Sequence, residues 1–272
     1  MNAISRMFAA LKQENQTALM PFLTAGDPDL EFTREAILAL QDTGCHLLEL
    51  GFPYSDPVAD GPVIQESYVR ALESGVTVDK IFDMMRGISG DLKIPVVSMV
   101  SYSIIFRIGI EEFIKTAAEC GFAGAIVPDL PLEEIADFQA VASKYEFALN
   151  PLVTPATPAD RAIKIAQAAS GFVYFVSVVG ITGEKSSFAE TLEARISTLR
   201  EQVEAPICIG FGISGPEQVR QLSPLADGLI VGSALVRRIA SGFADDASAT
   251  KNREATKHEL SSFAASLISA LS

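Results

Sequence analysis

Eight short apolar runs recur along the chain, and between them apolar residues fall at helical spacing. The runs are 18–23 (ALMPFL), 46–52 (HLLELGF), 95–100 (PVVSMV), 123–128 (AGAIVP), 147–153 (FALNPLV), 172–178 (FVYFVSV), 206–211 (PICIGF) and 228–233 (GLIVGS). They are near-continuously apolar, the pattern of parallel strands buried on both faces. The segments between them, such as Asp29–Leu40, Ile110–Ala118, Leu132–Ala142 and Ala159–Ala168, are amphipathic at helical period. Strand–helix alternation predicts a parallel sheet with right-handed crossovers, and eight repeats favour closure into a barrel over an open doubly wound sheet. An extra N-terminal helix over 2–12, with Ile4, Phe8 and Leu11 as its buried face, precedes the first strand. A loop is expected at 241–250. An extra C-terminal helix over Lys251–Leu271 follows, with Leu260, Phe263, Ala264, Leu267, Ile268 and Leu271 at helical spacing. No linker divides the chain, so the expectation is a single (β/α)8 TIM barrel domain over residues 1–272.

Length agrees with that expectation, since 272 residues lie close to the ~250 typical of such barrels. The formal net charge of −13 argues against a nucleic-acid partner, which needs clustered Lys and Arg. It leaves a small phosphate open, because backbone N–H groups at a helix N-terminus can hold one. Cys45, Cys120 and Cys208 are odd in number and form no CxxC pair, so they read as buried thiols in a reducing compartment. The N-terminus lacks the apolar core of a signal peptide, and a cytoplasmic location is expected. The uncharged stretch Ile165–Gly183 holds Gln167, Ser170, Gly171 and Gly180, and reads as a helix end followed by a strand rather than a membrane span.

The unusual sequence lies after the strands, where barrel enzymes build their sites. Gly210, Gly212 and Gly215 follow the seventh run; Gly232 and Ser233 follow the eighth and open a helix at Ala234–Ile239. Any one of these glycines alone would be a turn former. Two Gly-rich loops on adjacent strands, one with a Ser at a helix start, point to phosphate, with Gly183 as a third wall. Glu49 lies within an apolar strand, where an unpaired carboxylate costs several kcal/mol to bury. It faces either the helix layer or the barrel interior; near the strand's C-terminal end the second choice puts it in the mouth. A structural carboxylate bonded to a neighbouring strand is the alternative. Asp60 stands in the following loop. Asp56, within Ser-Asp-Pro, reads as a turn or surface residue. Tyr102 and Tyr174 bring phenols that either reach the cavity or pack. His46 and His258 are the only histidines, no lysine lies in a core strand, Lys185 sits in a loop, and no dinucleotide fingerprint follows the first strand. That inventory disfavours a His-ligated metal and a Schiff-base lysine, and leaves metal-free acid–base chemistry by carboxylates.

The stretch LELGFPYSDPVADG (48–61) closely resembles the signature of the tryptophan synthase alpha chain family. The resemblance continues through PFLTAGDPD (21–29), GAIVPDLPLEE (124–134), VSVVGITG (176–183), GFGIS (210–214) and IVGSALV (230–236). It implies a lyase that cleaves indole-3-glycerol phosphate to indole and D-glyceraldehyde 3-phosphate by retro-aldol chemistry, in L-tryptophan biosynthesis. It implies Glu49 as general acid/base, Asp60 as the carboxylate at the indole N–H, and Tyr174 as a catalytic-site tyrosine. Phe22, Val100 and Phe211 would line the indole pocket, with Tyr102 also at the substrate. Gly183, Gly212, Gly232 and Ser233 would hold the phosphate, and Thr182 would order Asp60 on closure of the sixth loop. Asp56 would face a partner. The resemblance further implies no cofactor in this chain, and a partner beta chain carrying pyridoxal phosphate in an α2β2 complex. Ile104 departs from the Asn that many relatives carry in a partner-facing loop. Another phosphate-binding barrel and a non-catalytic activating subunit are the competing readings; indole-glycerol-phosphate synthase would need a catalytic strand lysine that is missing.

Overall fold

The computed structural model describes residues 1–57, 60–177, 185–210, 212–244 and 249–271, with backbone alone for 185–191 and 249–251. Among them the elements alternate as the apolar runs predict. In chain order they are α1 (Ala3–Gln13), β1 (Ala18–Thr24), α2 (Leu30–Gln41), β2 (Leu48–Gly51), α3 (Pro62–Glu73), α4 (Val78–Ile88), β3 (Val96–Met99), α5 (Tyr102–Ile108), α6 (Ile110–Glu119), β4 (Phe122–Ile126), α7 (Ile135–Ala142), β5 (Ala148–Leu149), β6 (Leu152–Val153), α8 (Ala159–Gln167), β7 (Val173–Val176), α9 (Lys185–Arg200), β8 (Ile207–Gly210), α10 (Pro216–Leu222), β9 (Gly228–Val231), α11 (Ser233–Gly242) and α12 (Ala249–Ile268).

All strand pairs are parallel, in the order β5-β4-β3-β2-β1-β9-β8-β7-β6. The two outermost strands are halves of one apolar run, 147–153, so the sheet's ends are joined by the chain itself and the sheet is a TIM barrel. The run is split because Pro151 lacks the N–H a continuous ladder needs. Asn150 bridges the seam: its Nδ2 donates to Ala125 O (3.1 Å), and its Oδ1 accepts from Phe172 N (3.0 Å). The fifth sequence run is therefore two strands, and the buried Asn stands in for the missing ladder bonds.

Side chains alternate between two environments, as the pleat requires. Leu48, Leu50 and Phe52 pack against the helices, with Phe52, Phe82, Phe113 and Phe122 in tilted and edge-to-face contact. Met20, Phe22, Val97, Met99, Ile126, Tyr174, Cys208 and Ile230 fill the barrel interior. The extra helix α1 adds Ile4, Phe8 and Leu11 to that interior cluster, and Phe8 packs on Phe172 at 6.0 Å between ring centroids. Asn2 caps α1 by accepting from Ser5 N (2.9 Å), as expected of an N-terminal start signal.

The C-terminal expectation needs adjustment. The final helix begins at Ala249, and α11 runs on through Gly242, so helix occupies part of the predicted 241–250 loop. The helix ends at Ile268, leaving Leu271 beyond it. Leu260, Ala264 and Leu267 are buried. Among the described residues no helix is long and apolar enough to cross a membrane; residues 165–177, the described part of the stretch read as a helix end and strand, hold the end of α8 and β7.

Candidate active site

A cavity opens at the C-terminal end of the barrel, lined by Phe22, Glu49, Asp60, Tyr174, Gly212, Gly232 and Ser233, together with Ile64, Met99, Ile213, Ser214, Ile230 and Arg237. Its floor follows from strand register. Glu49 pairs with Phe22 of β1 and Val97 of β3. Because its neighbours Leu48 and Leu50 point to the helices, Glu49 points inward. Its side chain is 1% exposed, and neither carboxylate oxygen has a hydrogen-bond partner. Burial first, and the nearby Asp60 charge second, push its pKa from 4.5 up to about 8. An unpartnered buried carboxyl is costly; here the cost is met by retaining the proton.

Asp60 is half-buried, and burial pushes its pKa up to about 6. Its backbone is held by α3: Gln65 Nε2 donates to the carbonyls of Asp60 (2.8 Å) and Pro57 (3.0 Å). The helix in turn is tied to the loop after β1. Arg70 grips the buried Asp27 carboxylate with two bonds (2.9 and 2.7 Å), and the Ser67 and Thr24 hydroxyls meet at 2.6 Å. Bidentate Arg–carboxylate pairs fix orientation as well as distance, so the first loop positions the helix that positions Asp60.

Tyr174 is 4% exposed, and burial followed by the Glu49 and Asp60 charges raises its pKa well above the usual tyrosine range. Its phenol crosses the backbone of Gly210, where a Cβ would meet the hydroxyl at 2.2 Å. A glycine is required there by the ring, not by the turn. Gly212 is different: its φ of +79° lies in the left-handed region that side chains disfavour. Beside it, Gly232 and Ser233 line the cavity at the start of α11, a helix with no side-chain cap.

The remaining expected residues divide. Val100 is buried and lines an adjoining cavity with Asp56, Pro57, Asp60, Tyr68 and Met99. Asp56 is exposed and accepts from Ser55 Oγ (3.0 Å). Tyr102 lines neither cavity. Asp129 accepts from Tyr102 N (2.7 Å) and Ser101 Oγ (2.7 Å) at the start of α5, and the phenol donates to Glu134 (3.1 Å) instead. Thr182, Gly183 and Phe211 fall outside the described residues. Sequence reasoning passed over Tyr68, which is 4% exposed and feels the charges of both Asp60 and Glu49. It also passed over Arg237. Arg237 carries a legible signal, standing four residues after Ser233 and so on the same helix face; Tyr68 carries none, since its neighbour Ile64 is placed at the cavity by the structure alone. His46 sits at the opposite end, its Nδ1 accepting from Leu19 N (3.0 Å). Among the described residues no group of three or more His, Cys, Asp or Glu is placed to hold a metal ion.

The arrangement offers one carboxyl protonated at neutral pH, one largely ionised, a phenol, and a glycine-rich corner at the start of α11. Comparison with known proteins gives it a context. The family model "Tryptophan synthase alpha chain" matches residues 8–265. A tryptophan synthase alpha chain from Rhodopirellula baltica is 50% identical over 243 residues, covering 88% of this chain and 87% of that one. One from Thermoanaerobacter sp. is 43% identical over 98% of both. The solved tryptophan synthase subunit alpha from Legionella pneumophila superposes with a TM-score of 0.88 at 33% identity, covering 100% of this chain and 98% of that one. A tryptophan synthase structure from M. tuberculosis, in its aminoacrylate-bound form, gives 0.85 at 27% identity over 100% of both. By sequence over nearly its whole length and by fold, the chain belongs to the tryptophan synthase alpha chain family.

Proposed function

We propose that Glu49 and Asp60 divide the acid–base work of the family's alpha reaction, the cleavage of indole-3-glycerol phosphate to indole and D-glyceraldehyde 3-phosphate. The observation that carries this reading is the buried, unpartnered Glu49 carboxyl with a pKa of about 8, facing a cavity it shares with Asp60. At neutral pH Glu49 holds its proton and is loaded as an acid. It delivers that proton to the indole ring carbon that bears the glycerol chain. Positive charge then spreads to the ring nitrogen, where the Asp60 carboxylate, with its pKa of about 6, stabilises it by accepting the N–H. Glu49, now a carboxylate, accepts the proton of the side-chain hydroxyl as the carbon–carbon bond breaks. The bonding pair returns to the ring, and the aldehyde is released. Two carboxyls with pKa values held apart by environment are the means by which one site supplies both an acid and an anion.

The phosphate is held by Gly212, Gly232 and Ser233, with Gly183, while Phe22, Val100 and Phe211 flank the indole and Tyr174 packs beside Glu49. Thr182 orders Asp60 when the sixth loop closes. This chain uses no cofactor of its own. Its partner is a tryptophan synthase beta chain, which carries pyridoxal phosphate, in an α2β2 complex in the cytoplasm. The second loop, stiffened by Pro53, Pro57 and Pro62, presents the exposed Asp56 toward that partner.

The test is indole formation from indole-3-glycerol phosphate by the purified parent and by Glu49→Gln, with and without a cognate beta chain. The parent should release indole, faster when the beta chain is present, and the variant should bind substrate yet release essentially none. Glutamine retaining near-parental turnover would remove Glu49 from its role. An inactive parent would favour the non-catalytic subunit.

A further inference from the structure

Two arginines stand side by side on α11, and the fold treats them oppositely. Arg238 is committed to structure. Its guanidinium stacks on Phe263 (3.5 Å to the ring centroid), donates to Ala234 O (2.7 Å) and pairs with Glu259 (3.5 Å). Arg237 is exposed and lines the cavity with Gly212, Ser214, Gly232 and Ser233. Among the described residues no carboxylate lies within ion-pairing distance of it, although the chain carries 34 acidic against 21 basic residues. Helix geometry aims it. Arg237 is four residues after Ser233, hence on the same face. Long helical side chains lean back toward the N-terminus and cover the turn before their own Cα. The guanidinium therefore reaches toward the amides of Gly232 and Ser233. The cavity is also built for a ligand on independent grounds, since Glu49, 1% exposed, aims two unpartnered oxygens into it.

We propose that Arg237 is a substrate-binding residue that clamps the substrate's phosphate against the Gly212–Gly232–Ser233 corner. The inference rests on the phosphate site proposed above and adds to it a cationic side chain. A phosphate dianion held only by backbone amides keeps much of its charge unbalanced. A planar guanidinium can bond two of its oxygens at once while the third faces the helix N-terminus. The cation also favours phosphorylated over neutral ligands at the mouth of an acidic protein, where the average field repels anions.

The experiment is calorimetric titration of the purified chain with glycerol 3-phosphate, for the parent, Arg237→Gln and Arg237→Lys. Each is measured at low salt and at about 0.3 M NaCl, where charges more than a few ångströms apart in water are screened. The glutamine variant should raise Kd about tenfold, the low end for a charge-assisted bond at a wet site, and flatten the salt dependence. Lysine should recover part of the affinity, having the charge without the fork. In steady state the glutamine variant should raise KM for indole-3-glycerol phosphate with kcat largely retained, the signature of lost uniform binding. Because Arg237 is exposed, the thermal melt should be unchanged. A glutamine variant that binds within twofold of the parent with the same salt slope overturns the assignment. A parent that does not bind glycerol 3-phosphate at all overturns the phosphate site itself, and Arg237 with it.

Discussion

Replacing Glu49 by Gln should free the protein's stability from much of its pH dependence across the neutral range. In the unfolded chain the carboxyl titrates near 4.5, and in the folded barrel at about 8. Between these values the unfolded chain has released a proton that the folded chain keeps, so stability falls as pH rises. The fall begins above 4.5 and is complete above about 8, once the folded carboxyl also ionises. At about 1.4 kcal/mol per pH unit, the full window corresponds to about 5 kcal/mol, and the interval from about pH 5.5 to pH 8 to about 3 kcal/mol. Glutamine has the shape of the protonated acid and nothing to titrate, so it should lose none of this. The assay is urea unfolding of parent and variant at both pH values, read as the difference between their two pH-induced changes. Asp60, whose shift has the same sign, largely cancels in that difference. The variant should gain about 3 kcal/mol on the parent between the two pH values. Parallel behaviour, with a difference below about 1 kcal/mol, would refute the account of Glu49 as a buried neutral acid.

Asp60→Asn removes the charge that is the second cause of Glu49's raised pKa; the basic limb of any residual pH–rate profile should move to lower pH, while turnover falls by two or more orders of magnitude. Gly232→Ala and Gly212→Ala should separate ligand effects from strain. At Gly232 a Cβ would sit 3.5 Å from Phe22, an ordinary contact, so stability should hold while affinity for glycerol 3-phosphate drops. At Gly212 the positive φ should cost about 1–2 kcal/mol in thermal or urea unfolding even without ligand. Arg70→Ala strands Asp27, which is 2% exposed, and should cost about 3 kcal/mol in urea unfolding, with kcat lowered because the helix behind Asp60 loses its tie.

The positions of strands and helices were written in local pattern, because apolar runs and helical periodicity depend only on nearby residues. Closure into a barrel was legible from the number of runs, and the 48–61 motif carried Glu49 and Asp60. Which way Glu49 points was not. That is settled by the register that sets Leu48, Leu50 and Phe52 against the helices and leaves Glu49 level with Phe22 and Val97. The break at Asn150–Pro151, and its role as the barrel's seam, need β4 and the start of β7 in place. Tyr102 looked available from its position after a strand; Asp129 and Glu134, 27 and 32 residues away, draw it elsewhere. The place of Tyr68 at the mouth appears only once α3 is packed against it. Sequence determined which chemical groups are present and on which elements, since those depend on local periodicity and motif. Tertiary structure decided which of them share a cavity and which are spent on packing, since burial and charge proximity are properties of segments far apart in the chain.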